Sequence, residues 1–396
     1  MSKGDSLAFV YGTQIDAPLG GAARKAEGDE VIKAIDMLHR WAGAICGLTL
    51  AVIGMSGALL VHRDVWISAP RTHDPHLQSS QNLIGAVETL MADPVHRPAA
   101  ITFATPDFNL HELAYADGSG AYAAQSGEVV ARWSNRWKRP ELWLYDLHHQ
   151  LLGGEFGEAV VGVLGVLGAL FALSGAVLWW RSRKSFEFRL WPKALQRPAI
   201  TRHHRNLGIV VAPLLLLSVV TGSLLVFRPL TAIFLGPSGP GVIEQELRAP
   251  RYPPTPLTAQ PNWRAMMEAA RGRFPEAEFR ALSLPDRSGG LIRLRMRQPE
   301  EWLPNGRTFI WFTADSGTLI EARDARGLSV QSKAHSAIFP LHSGAVGGLP
   351  WRIALTLSGL ALSLLGLLTS WSFWAAWVTS HQSKRRSASI ARRSPR

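Results

Sequence analysis

Cysteine is almost missing from this chain of 396 residues, with Cys46 the only one. An internal disulfide and a cysteine metal cluster are therefore excluded. Cys46 lies in an apolar stretch, where a lone thiol packs as a small apolar group. Also missing are a Walker phosphate loop, a dinucleotide-binding glycine fingerprint and a catalytic serine elbow. No flavin or nicotinamide site is expected, so a reductant must come from another protein or from quinol. A cleavable signal peptide is not apparent either. The first forty residues are polar, and the first apolar block is too long and lacks a cleavage pattern. That block is expected to act as an uncleaved anchor.

Charge is missing from four long stretches, Trp41–Val61, Ala159–Trp180, Leu207–Phe227 and Ile353–Val378. Each reaches the roughly 20 residues needed to cross ~30 Å of hydrocarbon as a helix. Mean hydropathy is only slightly positive because the apolar residues are gathered into these blocks. The expected fold is an integral membrane α-helical bundle of four spans.

Carboxylates are outnumbered, and the net charge is +12. Its placement argues against nucleic acid and for a membrane. Arg181, Arg183, Lys184, Arg189, Lys193, Arg197, Arg202 and Arg205 fill the loop between the second and third runs. Lys384, Arg385, Arg386, Arg392, Arg393 and Arg396 follow the fourth, and Arg24, Lys25, Lys33 and Arg40 precede the first. Positive residues favour the cytoplasmic side. This predicts both termini and the middle loop in the cytoplasm, with the long inserts outside. The expected division is a tail (1–34), spans at 35–62, 158–181, 204–228 and 351–378, external inserts at 63–157 and 229–350, a basic loop at 182–203 and a basic tail at 379–396. The first tail is expected to be loosely ordered.

What is present is a repeat. Asp146-Leu147-His148-His149-Gln150-Leu151-Leu152-Gly153-Gly154 precedes the second run, and Pro340-Leu341-His342-Ser343-Gly344-Ala345-Val346-Gly347-Gly348 precedes the fourth. Around the first run, Leu38-His39-Arg40-Trp41-Ala42-Gly43 and Ser56-Gly57-Ala58-Leu59-Leu60-Val61-His62-Arg63 match His204-Arg205-Asn206-Leu207-Gly208 and Thr221-Gly222-Ser223-Leu224-Leu225-Val226-Phe227-Arg228 at one constant shift. A duplication follows, as parallel repeats about a pseudo-two-fold axis along the membrane normal. Gly43 and Gly47 are expected to form a close-packing face.

Each insert reads as a small α+β unit. The first has a helix near Leu83–Met91, extended segments at Ala100–Phe103 and Leu113–Tyr115, a turn at Asp117-Gly118, and a strand and turn over Tyr122–Val129. The second has a helix over Trp263–Arg273 opened by Asn262, strands at Leu291–Met296 and Thr308–Thr313, and a turn at Asp315-Ser316-Gly317. Pro237–Pro256 reads as an irregular linker.

Equivalence pairs His39 with His204 at the cytoplasmic face and His148 with His342 at the external face. Two imidazoles opposed inside a bundle suit bis-axial ligation of a haem iron. A single histidine near an interface is more often a polar anchor or a hydrogen bonder. Two symmetric pairs favour ligands, so two haems are expected. His149 and His203 lack partners in the other half and are expected as supporting groups. His62 faces Phe227 in the repeat, as a substitute external ligand or, preferably, an interfacial polar residue. His381 reads as an interface residue, and His335 as lining the external mouth. His73-Asp74-Pro75-His76 reads as a solvated loop, and His96 and His111 as surface residues. Trp133, Trp137, Trp143, Trp179, Trp180, Trp371, Trp374 and Trp377 are expected mostly to form interfacial belts. Trp302 and Trp311 are candidates for contact with an organic ligand.

These motifs, with the strand and turn Trp311-Phe312-Thr313-Ala314-Asp315-Ser316-Gly317, resemble the PepSY-associated transmembrane helix family over nearly the whole chain from His39 to Trp377. Within it, the size and architecture are most similar to inner-membrane ferric-siderophore reductases of the ferrioxamine type. The resemblance implies PepSY-like inserts, b-type haem, iron acquisition, a bacterial inner membrane and a periplasmic reduction site. The first insert departs from the PepSY strand pattern. The expected function is electron transfer through two haems to a ferric siderophore, expected to be of the hydroxamate type. The donor would be a cytoplasmic reductase or quinol. The rivals are a non-catalytic binding or regulatory module and a siderophore permease. The permease reading is disfavoured because no charged residue lies mid-span.

Overall fold

A backbone in hydrocarbon must satisfy its own hydrogen bonds, so apolar runs of this length become helices. The computed structural model describes residues 19–393 except 78, 259 and 286–289, and side chains from 27 to 378. Four of its helices are long and apolar enough to cross a membrane. In the first half of the chain, α1 (Leu19–Leu60) runs into a short α2 (Arg63–Trp66), then α3 (Ser80–Leu90). Strands β1 (Ala100–Thr102), β2 (His111–Ala114), β3 (Gly120–Ala123) and β4 (Val129–Trp133) follow. Next come α4 (Pro140–Gln150) and α5 (Gly154–Ser182). The second half has α6 (Arg197–Val226), α7 (Ala232–Leu235), α8 (Gly239–Leu247) and α9 (Trp263–Arg273). Strands β5 (Glu278–Ser283), β6 (Leu291–Arg297), β7 (Thr308–Thr313) and β8 (Leu319–Arg323) follow, then α10 (Val330–Ser343) and α11 (Gly348–Arg393).

Three boundaries differ from the sequence reading. Residues 19–34 are helical rather than a loose tail, because α1 continues beyond its apolar part. Helix α6 likewise begins inside the basic loop. The Pro/Gly-rich linker contains α8, which starts on Gly239-Pro240 and buries Ile243 completely. Proline in the first turn lacks only an N–H that the helix would leave unpaired anyway. The rest of the N-terminal tail and the basic side chains after Val378 lie outside the described residues.

The spans approach through small residues. Helix α1 packs on α11, where a methyl at Gly54 would lie 2.6 Å from the Gly359 carbonyl oxygen. Gly47 faces Gly366 in the same seam, and Ser363 Oγ donates to Ala51 O at 2.9 Å. Such close backbone approach is how helices gain dispersion contact in lipid. A methyl added at Gly43 would meet no atom within 4 Å, so the seam uses Gly47 and Gly54 instead. Helix α5 packs on α6, with Gly162 against Phe227 and Gly168 against Val219.

The two inserts do not form separate sheets. They join in one antiparallel eight-stranded sheet of order β4-β3-β2-β1-β5-β6-β7-β8. The seam is β1 against β5, pairing Ile101 with Leu282. Without it, β1 and β5 would each be an exposed edge. Helices α3 and α9 cover one face, packing Ile84, Val87, Met266 and Met267 on Ile101, Leu113, Leu294 and Phe312. A smaller cluster of Ile67, Leu110, Tyr122 and Trp133, with Leu142 of α4 against it, occupies the other face. Tyr122 Oη donates to the buried Glu141 at 2.8 Å, and Arg139 closes on the same carboxylate at 2.6 Å. The sheet thereby holds α4, the helix that carries His148. Trp133 belongs to this cluster and not to a membrane belt.

Candidate functional site

Helix α4 reverses into α5 through Leu151 and Leu152, both with left-handed backbone (φ 47° and 60°), and Gly154 (φ 61°). Helix α10 reverses into α11 through Gly344, Gly347 and Gly348, with φ 77°, 77° and 60°. The glycines after each Leu-His pair are therefore reversal points. They fold the histidine-bearing helix back against the bundle.

His148 reaches α1 and His342 reaches α6. A methyl at Gly57 would meet His148 Cε1 at 2.8 Å, and one at Gly222 would meet His342 Cε1 at 3.0 Å. Only glycine leaves room for the rings at these levels. His148 Nδ1 lies 3.0 Å from Ile53 O, and His342 Nδ1 lies 3.1 Å from Ser218 O. A carbonyl oxygen only accepts, so both Nδ1 atoms carry the proton and both Nε2 atoms keep a lone pair. Ser56 and Thr221 place hydroxyl oxygens beside the same Nδ1 atoms, at 3.2 and 3.1 Å. The two ring centroids are 6.0 Å apart with planes at 39°.

The second pair lies within the spans. His39 of α1 and His204 of α6 have centroids 6.1 Å apart and planes at 76°. His39 Nδ1 is 2.8 Å from Ser174 Oγ, whose own hydrogen goes to Leu170 O at 2.6 Å. The hydroxyl must then accept from His39, which again leaves Nε2 with the lone pair. His204 Nδ1 is buried and has no partner among the described residues.

Metal–imidazole bonds are about 2.0–2.1 Å. Two imidazoles that held one metal between them would, with their ring radii added, have centroids about 6 Å apart. Both pairs have this spacing. A ligand histidine ordinarily donates its other ring N–H to a carbonyl or similar oxygen, which fixes tautomer and orientation. Three of the four rings do so here. The residues present thus fit an iron porphyrin held by two histidines at each level.

The other histidines make contacts of their own. His62 Nε2 hydrogen-bonds Thr356 Oγ1 of α11 at 2.9 Å. His149 stacks on Tyr145 at 5.4 Å and has Glu158 at 3.9 Å. His203 is buried, with Nε2 2.9 Å from Leu190 O in the basic loop. His335 is pushed down to about 4 by burial, with Arg307 and Arg228 adding to the effect. His381 lies outside the residues with described side chains. His96 is exposed on Asp93. Among the described residues no three His, Cys, Asp or Glu side chains converge, so the loop His73-Asp74-Pro75-His76 gathers no third ligand. Trp302 is exposed, whereas Trp311 is buried in β7 beneath Arg323.

One expectation requires correction. His111 is not a surface residue but is 2% exposed, facing the α3–α9 side of the sheet. Strand alternation around Leu113 contained this signal, since His111 shares its face. The oxygens that orient the imidazoles, on Ile53, Ser218 and Ser174, were also not singled out. Each lies on a span whose rotation no local pattern sets.

Four apolar helices, with a single sheet beyond one end and two opposed imidazole pairs at different levels, define a membrane-embedded helical protein with paired-histidine sites. The chain belongs to the family described as the PepSY-associated TM region, whose model matches residues 37–376. Among curated proteins, none matches the chain.

Proposed function

We propose that this chain is a di-haem b membrane protein that reduces an Fe(III)-siderophore at the periplasmic face, releasing Fe(II) for iron uptake. Haem iron in each site would supply one-electron chemistry. His39 and His204 hold the group at the cytoplasmic level, and His148 and His342 hold the other at the periplasmic level. Gly57 and Gly222 admit the periplasmic rings, and Ile53, Ser218 and Ser174 orient three imidazoles through Nδ1. Along α1, His39 and Gly57 are separated by 18 residues, roughly 27 Å at 1.5 Å per residue. The pairs thus divide the membrane path into shorter segments.

The duplication supports the same arrangement. One shift relates His39, Ile53, Ser56 and Gly57 to His204, Ser218, Thr221 and Gly222. Parallel repeats set such positions at one depth. The basic loop and tail favour both termini in the cytoplasm, and the family likeness points to a bacterial inner membrane. The acceptor gains one electron per Fe(III), and Fe(II) is held less tightly by the hard oxygens of a hydroxamate chelator. The electron comes from a cytoplasmic reductase or quinol.

The observation that carries this reading is the 6.0 and 6.1 Å pairing of rings, three of which have the outer nitrogen held as N–H. The test is the absorption spectrum and haem content of protein purified after haem-replete expression. A Soret band and about two haems per chain are expected for two bis-histidine sites. His148→Ala and His342→Ala should each remove the same haem and keep the other. No Soret band, or full haem in both variants, refutes the assignment.

A further inference from the structure

A cavity of about 460 Å³ opens where the two inserts meet, between α3, the end of α9 and the β1–β5 seam. Its wall includes His76, His111 and Gln125 of the first insert and Arg271, Glu278 and Arg280 of the second. Among the described residues, His76 Nδ1, Arg271 Nε and Arg280 Nε are buried on this wall with no hydrogen-bond partner, and His111 Nε2 is buried there too, with the Gln125 backbone acting on its ring. A buried donor left unpaired costs about 1–3 kcal/mol. Their convergence on one cavity of ligand size needs an explanation.

Three of these nitrogens are donors. Arginine Nε–H can only donate. His111 Nδ1 accepts from the Ala104 amide at 3.0 Å, so its Nε2 carries the hydrogen. His111 and Arg280 are 2% and 5% exposed. Arg280 is paired with Glu278. Arg271 spends Nη1 on the carbonyls of Pro275 and Ala277 and lies over the Phe279 ring, with no carboxylate in ion-pair contact among the described residues. One positive charge is thus left over. Leu77, Leu83, Phe103 and Phe279 supply apolar wall.

We propose that this cavity binds a small organic monoanion, a carboxylate carried on an apolar body, with its oxygens facing Arg271, Arg280 and His111. A single surplus charge suits a carboxylate better than a dianionic phosphate. Planar guanidinium edges also match its two oxygens. Because the wall draws on both inserts, the ligand holds them together across the seam. Burial keeps His111 neutral, with its pKa at about 4, so Nε2–H remains the donor at neutral pH. The site lies on the sheet face covered by α3 and α9 and does not depend on the haem assignment.

The test is calorimetric titration of the full-length protein in detergent, at fixed ionic strength, with 3-phenylpropionate, its alcohol analogue 3-phenylpropanol and inorganic phosphate. Saturable binding of the carboxylate alone is expected. Arg271→Gln should weaken it at least tenfold, and Asn82→Trp, which fills the mouth and leaves Arg271, Arg280 and His111 in place, should abolish it. Arg326→Gln, whose partners Glu276 and Glu300 lie outside the cavity wall, should leave it unchanged. Equal binding of the alcohol would mean apolar or micellar partition, and equal binding of phosphate would mean a generic anion site. Either result, no saturable binding by the natural chain, or an unaffected Arg271→Gln overturns the proposal.

Discussion

Replacing Gly57 by valine puts a side chain where the His148 ring now lies. The added Cβ would fall 2.8 Å from Cε1 and 3.3 Å from Nδ1. Non-bonded carbons settle at about 3.5–4.0 Å, so the ring must retreat by about 1 Å. The hydrogen bond to Ile53 O, now 3.0 Å, would then stretch beyond useful range. Metal sites tolerate ligand displacements of only about 0.2 Å. Gly57→Val is therefore expected to lose the haem at the His148–His342 level and to keep the one at His39–His204. Haem per chain would fall from about two to about one, measured as a pyridine haemochrome against protein concentration. Gly222→Val should produce the same loss through His342. The haem proposed at His39–His204 would serve as an internal control for folding. Retention of both haems in Gly57→Val, with one lost in His148→Ala, would show that the ring does not depend on this cradle.

The remaining predictions concern stability. Gly54→Leu drives a side chain into the Gly359 backbone, which cannot rotate away, and overpacking of this kind costs about 1–3 kcal/mol. Its melting temperature in detergent should fall, while Gly43→Leu, with nothing within 4 Å, should melt like the natural chain; equal effects would refute the seam. Burial depresses the His111 pKa from 6.5 to about 4 in the folded protein. Between those values only the unfolded chain takes the proton, so this contribution is whole above about pH 6.5 and falls toward pH 4, by at most about 3 kcal/mol. Melting followed from pH 7 to 4.5 should show a shallower decline in His111→Gln, and identical slopes would refute the burial argument.

Much of the molecule is legible in its order of residues because the relevant physics is local. Hydrocarbon thickness sets the length of a charge-free run, and all four runs are helices. Asn262 caps α9, accepting from the Ala265 amide at 3.0 Å, and that helix has the expected limits. Repeated motifs put His39 level with His204 and His148 level with His342, and the rings do face each other. Turn glycines beside Leu147-His148 and Leu341-His342 mark where each histidine-bearing helix folds back.

Tertiary structure decided the rest, and each case involves partners far apart in the chain. The pairing of Ile101 with Leu282 merges two inserts into one sheet, and strand propensity says nothing about which distant edge a strand will meet. That merger buries His111 and gathers Arg271 and Arg280 around a cavity that neither insert contains alone. Likewise, the meeting of Gly54 with Gly359 and of His148 with the Ile53 carbonyl depends on helix rotation. Composition and spacing set where the chain enters the membrane and which residues share a depth. The direction in which each side chain finally points is a property of the packed whole, because it minimises contact energy over neighbours the local sequence does not name.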